Sequence, residues 1–454
     1  MIRPTLILVD VTSLHASAIR SNAQPASDQP ARRQGIVWPI CCTWLTSVAM
    51  MMGYDARAAG HESKSVEGTL VIMGGAIHPD TEDIWQRIVA LAGGSGAQIA
   101  VIAAAAASPE SSAERTIAVL KRYGAAPFFV PAAPRLATSD FRKMADDKDL
   151  AQRVAAAGGV FFNGGDQSRI TQTLLRADGK RTALLEAIWS VYERGGVLAG
   201  TSAGAAIMSE TMFYEPPDVL SVLQNPLRQN RDIAPGLGFV GAGVFIDQHV
   251  LARGRFARML PAMAAAKVTL GIGVDENAAV AVSRDGTKRR FEVLGASGVI
   301  VLDTSRATSN ASLSAFNVRG ARLSYLERGD HFDLNTRVMT PSAFKLGGTI
   351  LDPAHPNYKP EFDEPRWYGD ALSKNGLVEI MCNLIDNTPR QVVAMALPPP
   401  HQTNRDLGFE FTFRKAPGTL GYLRIDKGRA HYSVKDIVLD VLPVKVTAPL
   451  YGAL

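Results

Sequence analysis

The chain is poor in cysteine. Three occur in 454 residues, Cys41, Cys42 and Cys382. That is too few for a disulfide framework, so stability must come from an apolar core, which a chain of this length can bury. Charge of one sign is also scarce. The formal net charge is +5 and no Lys/Arg-rich block stands out, which speaks against a nucleic-acid partner. Histidine is limited to eight residues. Neither a His-Glu-x-x-His run nor a Cys/His cluster of metal-site spacing occurs, so no metal and no other cofactor is expected. No internal repeat is evident. An apolar fraction of 46% and a charged fraction of 20% fit an ordinary folded globular protein.

Long apolar runs are few, and the longest lies near the start. Arg32-Arg33 precedes a mostly apolar stretch from Gly35 to Met52, interrupted by Pro39, and Ala56-Arg57-Ala58 follows with small-x-small form. This is the layout of an export signal, although the residues up to Pro30 make a long leading region. Asp55 and Arg57 close behind the run fit neither a buried helix nor a stable membrane anchor. Residues 1–58 are therefore expected to be an N-terminal extension with a signal peptide. The mature chain is expected in the periplasm or outside the cell, or in the cytoplasm if the segment is not a signal.

Past that segment, apolar runs alternate with helical periodicity. Gly68 to Met73, Gln98 to Ala103, Pro127 to Val130 and Gly159 to Phe162 read as strands. Asp83 to Leu91, Glu114 to Tyr123, Leu150 to Ala157 and Thr182 to Arg194 read as helices. The alternation predicts an α/β fold, a mostly parallel sheet with helices on both faces, with the functional loops at the carboxyl ends of the strands. From about Thr304 the helical periodicity fades and proline and asparagine become frequent. Phe409-Glu410-Phe411-Thr412-Phe413 and Val434 to Val446 alternate as strands do. The organisation expected is a catalytic domain over 65–339 and a β-rich extension over 340–454. The extension is open to roles as polymer-binding module, oligomer contact, lid or stabilising wrap.

The run Gly200-Thr201-Ser202-Ala203-Gly204 follows the apolar Val197-Leu198-Ala199 and precedes an Ala-rich stretch to Met208. It has the form Gly-x-Ser-x-Gly on a strand, a sharp turn and a helix. Such a turn exposes the serine hydroxyl and lets the next backbone N–H stabilise an oxyanion. A glycine-rich turn with an incidental serine has the same appearance. A serine nucleophile needs a base, and the base an orienting carboxylate. His249 ends the apolar run Val244-Phe245-Ile246-Asp247-Gln248. Glu276 ends another, Gly271-Ile272-Gly273-Val274-Asp275. The order Ser, His, Glu differs from the Ser, acid, His order of ordinary α/β-hydrolases and argues for the same chemistry on a different fold.

Four blocks together resemble the cyanophycinases, serine peptidases related to aspartyl dipeptidases with a class I glutamine amidotransferase-like fold. They are Leu70 to Ala76, Phe162-Asn163-Gly164-Gly165-Asp166-Gln167, Gly200 to Ala205, and the strand ends Asp247-Gln248-His249 and Asp275-Glu276-Asn277. Arg253, Arg255 and Arg258 follow the histidine. The segment from Leu323 to Leu334 is also similar, so the resemblance spans roughly Gly68 to Leu334. Two stretches depart from it, the weakly charged Gly75-Ala76-Ile77-His78-Pro79 and the bland Ala103 to Ala107. The resemblance implies a Ser202-His249-Glu276 triad. It places an oxyanion hole at the N–H groups of Gly165 and Ala203 and substrate contacts at Gln167, Asp247, Gln248, Arg253, Arg255, Arg258 and Asn277. The implied partner is cyanophycin, a poly-aspartate backbone with arginine on each β-carboxyl group, or a β-aspartyl peptide. The arginines would meet free carboxylates and Asp247 a guanidinium. A homodimer is left open. Two other readings compete: an isoaspartyl or acidic dipeptidase of the same fold, and a secreted binding protein without catalysis.

Overall fold

The computed structural model describes residues 68–399 and 405–447. The expected export segment and Cys41 and Cys42 lie outside the described residues. Among the described residues no helix is long and apolar enough to cross a membrane.

The chain builds two large sheets. In the first, Thr69–Met73, Val197–Thr201, Gly159–Phe162, Gln98–Ile102 and Ala126–Val130 lie side by side and parallel. These strands are near-continuous apolar runs, as expected where both faces are covered. Leu70 and Ile72 face one layer, with Val154, Leu184 and Ile188 from helices Lys148–Ala155 and Ala183–Glu193. Val71 and Met73 face the other, with Trp85, Ile88 and Leu120 from helices Glu82–Leu91 and Pro109–Arg122. Side-chain alternation along each strand produces this two-sided core.

The expectation of a mostly parallel sheet is corrected by the rest of the molecule. Four further strands of the first sheet are antiparallel, beginning with the hairpin Ala278–Asp285 and Lys288–Gly295 against Thr69–Met73. Among the described residues, the second sheet holds only two parallel pairings, Val244–Gln248 with Leu270–Val274 and Trp367–Tyr368 with Gln391–Ala396. Its remaining ladders are antiparallel.

Residues 340–454 supply strands to this second sheet. Arg429–Lys445 pairs with Val318–Leu326 on one side and Leu407–Arg414 on the other. Phe409, Phe411 and Phe413 point inward and are fully buried with Phe256 and Ile380. A buried ionic cluster crosses the expected boundary at 339/340. Lys345 Nζ donates to Asp330 Oδ2 at 2.9 Å and to Ser433 Oγ, and both Lys345 and Asp330 are buried. Among the described residues, the fading periodicity after Thr304 hides two helices, the short Ala343–Leu346 and Gly376–Ile385, whose Leu377, Ile380, Met381 and Leu384 pack into the core.

Candidate active site

Ser202 sits between strand Val197–Thr201 and the short helix Ala203–Ala206, at φ 54° and ψ −110°. A non-glycine residue held there carries roughly 1–3 kcal/mol of strain, which the tight elbow imposes. A Cβ on Gly200 would lie 2.1 Å from Gly204 O, and one on Gly204 2.4 Å from Phe162 O. Both glycines of the motif are thus packing requirements. The N–H of Ala203 leads the helix and has no protein acceptor among the described residues.

The candidate triad draws on both sheets. Ser202 ends a strand of the first, whereas His249 and Glu276 follow strands of the second. Ser202 Oγ lies 2.9 Å from His249 Nε2, and His249 Nδ1 lies 2.6 Å from Glu276 Oε1. With the Nδ1 proton donated to the carboxylate, Nε2 is left to accept from the serine hydroxyl. Burial lowers the His249 pKa below the ordinary 6.5. Glu276 opposes that shift, while the positive charges of Arg253 and Arg255 add to it. The imidazole is therefore neutral at pH 7, the state a general base requires.

Three successive carbonyls at the end of Thr69–Met73 hold this arrangement. Ser202 N–H donates to Met73 O at 3.0 Å, His249 N–H to Gly74 O at 3.0 Å and Asn277 N–H to Gly75 O at 2.8 Å. His249 and Asn277 both have positive φ, 53° and 55°. Gly75, at φ 118°, lies against the imidazole, and a Cβ there would come within 2.2 Å of His249 Cε1. The Gly75 loop, which the resemblance did not explain, is thus the bed of the His249 ring. Asp275 was also missed. Its Oδ1 accepts from Leu251 and Ala252 N–H at 3.0 and 2.9 Å, fixing the loop that carries Arg253. Its place beside Glu276 at a strand end was the available signal.

Ser202 opens on a cleft of about 460 Å³ shared with Gly165, Gln167, Gln248 and the three arginines. A larger one, about 820 Å³ beside Thr171 and Tyr214, contains no triad residue. Gly165 has φ 140°, and a Cβ there would lie 2.1 Å from Ala105 O. The small residues of Ala103 to Ala107 make this close approach feasible. Its N–H, like that of Ala203, has no protein acceptor among the described residues. Gln167 Nε2 donates to Phe213 O and Tyr214 O, each at 2.9 Å, leaving its Oε1 as the free polar end.

The charged residues divide differently from the expectation. Asp247 is corrected: it is 1% exposed, and both its oxygens accept from Arg258, each at 2.7 Å. Taken up by this buried pair, it does not line the cleft. Arg258 stacks over Phe213 at 4.2 Å and serves this pair first. Arg255 donates to Gln248 O and Oε1, and burial pushes its pKa down to about 10, still cationic at neutral pH. Arg253 is half-exposed, with Nε 3.7 Å from Glu276 Oε1. Asn277 also departs from its expected role. Its Oδ1 accepts from His78 N–H and Thr81 Oγ, clamping the loop after the first strand.

The chain matches the model of Peptidase family S51 over residues 70–290. It is similar to the cyanophycinase of Geminocystis herdmanii, 32% identical over 280 residues that cover 60% of this chain and 95% of that protein. The cyanophycinase of Trichormus variabilis is 30% identical over 298 residues, covering 62% and 91% respectively. Among solved structures, a peptidase from an acI-B1 actinobacterium is 21% identical with a TM-score of 0.42, over 60% of this chain and 98% of that one.

Proposed function

The chain belongs to peptidase family S51 together with the cyanophycinases, and from that premise we propose that this peptidase hydrolyses cyanophycin to β-Asp-Arg dipeptides by serine acyl transfer. The observation that carries the mechanism is the hydrogen-bonded chain Ser202–His249–Glu276 at 2.9 and 2.6 Å. His249 Nε2 takes the Ser202 proton as Oγ attacks a main-chain carbonyl of the aspartate backbone. The N–H groups of Gly165 and Ala203 receive the oxyanion. Glu276 holds the imidazole and stabilises its cation. The C–N bond breaks as His249 returns the proton to the leaving amine, and water, activated by the same base, cleaves the acyl-enzyme. Arg253 and Arg255 give the cleft the cations that free α-carboxylates require. The parallel half of the first sheet is read as a class I glutamine amidotransferase-like arrangement.

Incubation with purified cyanophycin and mass analysis of the products tests this reading. β-Asp-Arg is expected, and its absence overturns the substrate assignment. Ser202→Ala is expected to lose about 10⁴-fold or more in kcat with its unfolding curve retained. A variant keeping a tenth of the activity removes Ser202 from the role of nucleophile. Export rests on residues 32–58. N-terminal sequencing of the protein from a Gram-negative host is expected to begin near Ala59, and a cytoplasmic product retaining Met1 overturns it.

A further inference from the structure

The correction at Asp247 leaves the cleft without the anion that a guanidinium would need. We infer that Asp218 takes that place and selects substrates carrying a guanidinium group, an inference that rests on the cyanophycin reading above. Among the described residues, Asp218 is the one carboxylate lining the cleft that also contains Ser202, Gln167, Arg253 and Arg255. It sits on the wall between strand Thr211–Phe213 and helix Val219–Gln224.

The wall is built to hold this side chain in place. Pro216-Pro217 restrict the backbone just before it. Gln167 ties the start of the segment through Phe213 O and Tyr214 O. Gln224, at the end of the helix, donates to Leu407 O at 2.7 Å. Asp218 Oδ1 accepts from Ser221 N–H at 3.0 Å and Oδ2 from Ser221 Oγ. A carboxylate has about four lone-pair sites, so each oxygen retains acceptor capacity for a guanidinium fork.

Charge complementarity identifies the ligand class. A cleft bearing only cations, Arg253 and Arg255 beside the Asp247-paired Arg258, would suit any acidic peptide. With Asp218 lining the same cleft, it matches a unit that carries a carboxylate and a guanidinium together. An arginine attached through its α-amino group is such a unit, since its α-carboxylate and side chain both remain free.

The test compares a short β-Asp-Arg oligomer with the same oligomer carrying citrulline, whose urea group is neutral and nearly isosteric. The readout is the ratio of the two kcat/KM values. The wild-type chain is expected to favour arginine. Asp218→Asn keeps a good helix cap and is expected to reduce the ratio by about 5- to 20-fold. Added salt is expected to reduce the wild-type ratio and leave that of the variant unmoved. An equal ratio in variant and wild type overturns the proposal and leaves Asp218 as a helix cap alone, and a wild-type chain without preference overturns it as well. If wild type cleaves neither oligomer, the cyanophycin reading fails separately, and the ratio is measured on the dipeptides β-Asp-Arg and β-Asp-citrulline. A fall in that ratio in Asp218→Asn supports the assignment for a dipeptidase; no fall, or no cleavage, overturns it.

Discussion

At the scale of single residues, the candidate site divides into the hydrogen-bonded Ser202, His249 and Glu276 and the groups that hold them. Arg253 touches both sets. Its peptide N–H donates to His249 O at 3.1 Å, and its guanidinium lowers the His249 pKa while approaching the same oxygen of Glu276 that orients the ring. The base works only when neutral, so activity is lost as pH falls through the histidine pKa. For a small neutral ester, the acid limb of kcat/KM is therefore expected below pH 6.5. Arg253→Gln removes a nearby positive charge and is expected to move that limb upward. A limb that stays in place separates Arg253 from the electrostatics of the base. The side chains that the structure brings within hydrogen-bond distance were legible in the sequence, because a serine between two glycines and a histidine at a strand end leave marks in composition and spacing. Asp247 was not legible. Nothing in Asp-Gln-His announces that an arginine eleven positions on folds back to take both oxygens.

At the scale of elements, the loop after His249 leans on the C-terminal part of the chain. Asn375 N–H donates to Leu251 O at 3.0 Å. Gly254, at φ 57°, comes so near residue 372 that a Cβ would lie 2.1 Å from Leu372 O. Gly254→Ala is therefore expected to displace the arginine loop while leaving the serine elbow intact. A misplacement of about 1 Å can cost on the order of 10²-fold. The expected signature is a raised KM for the charged polymer, with hydrolysis of a small ester much less affected. Equal losses on both substrates would show that the loop positions the triad as well. The parallel strands and their helices were read from period alone, since apolar runs and amphipathic stretches are local signals. Helix Gly376–Ile385 carries the same spacing in Leu377, Ile380, Met381 and Leu384. It was hidden by the proline- and asparagine-rich stretches before it.

At the scale of the whole molecule, strands from the C-terminal part of the chain share a sheet with the strands before His249 and Glu276. Strand Arg429–Lys445 completes the sheet containing the strands before His249 and Glu276. The lysine cluster is buried where the two regions meet. Lys345→Met leaves the Asp330 carboxylate buried without its cation, which is expected to cost about 3–5 kcal/mol. The midpoint of urea unfolding measures this. Unchanged stability would mean that the pair contributes little, and adding Asp330→Asn is expected to restore part of the loss. Sheet membership was not legible, because pairing between strands far apart in sequence leaves little trace in either strand alone. The three carbonyls that follow one another from Met73 to Gly75 have a further consequence, one of timing. They are synthesised early and find their partners late. At about 5–20 residues per second, a ribosome needs roughly 10–40 s to travel from Gly75 to Asn277. Throughout that interval the Ser202–His249–Glu276 arrangement is incomplete, so hydrolysis that depends on it is not expected from a nascent chain. The order of residues along the polypeptide leaves the three carbonyls without their full set of partners until position 277 of 454 has been added.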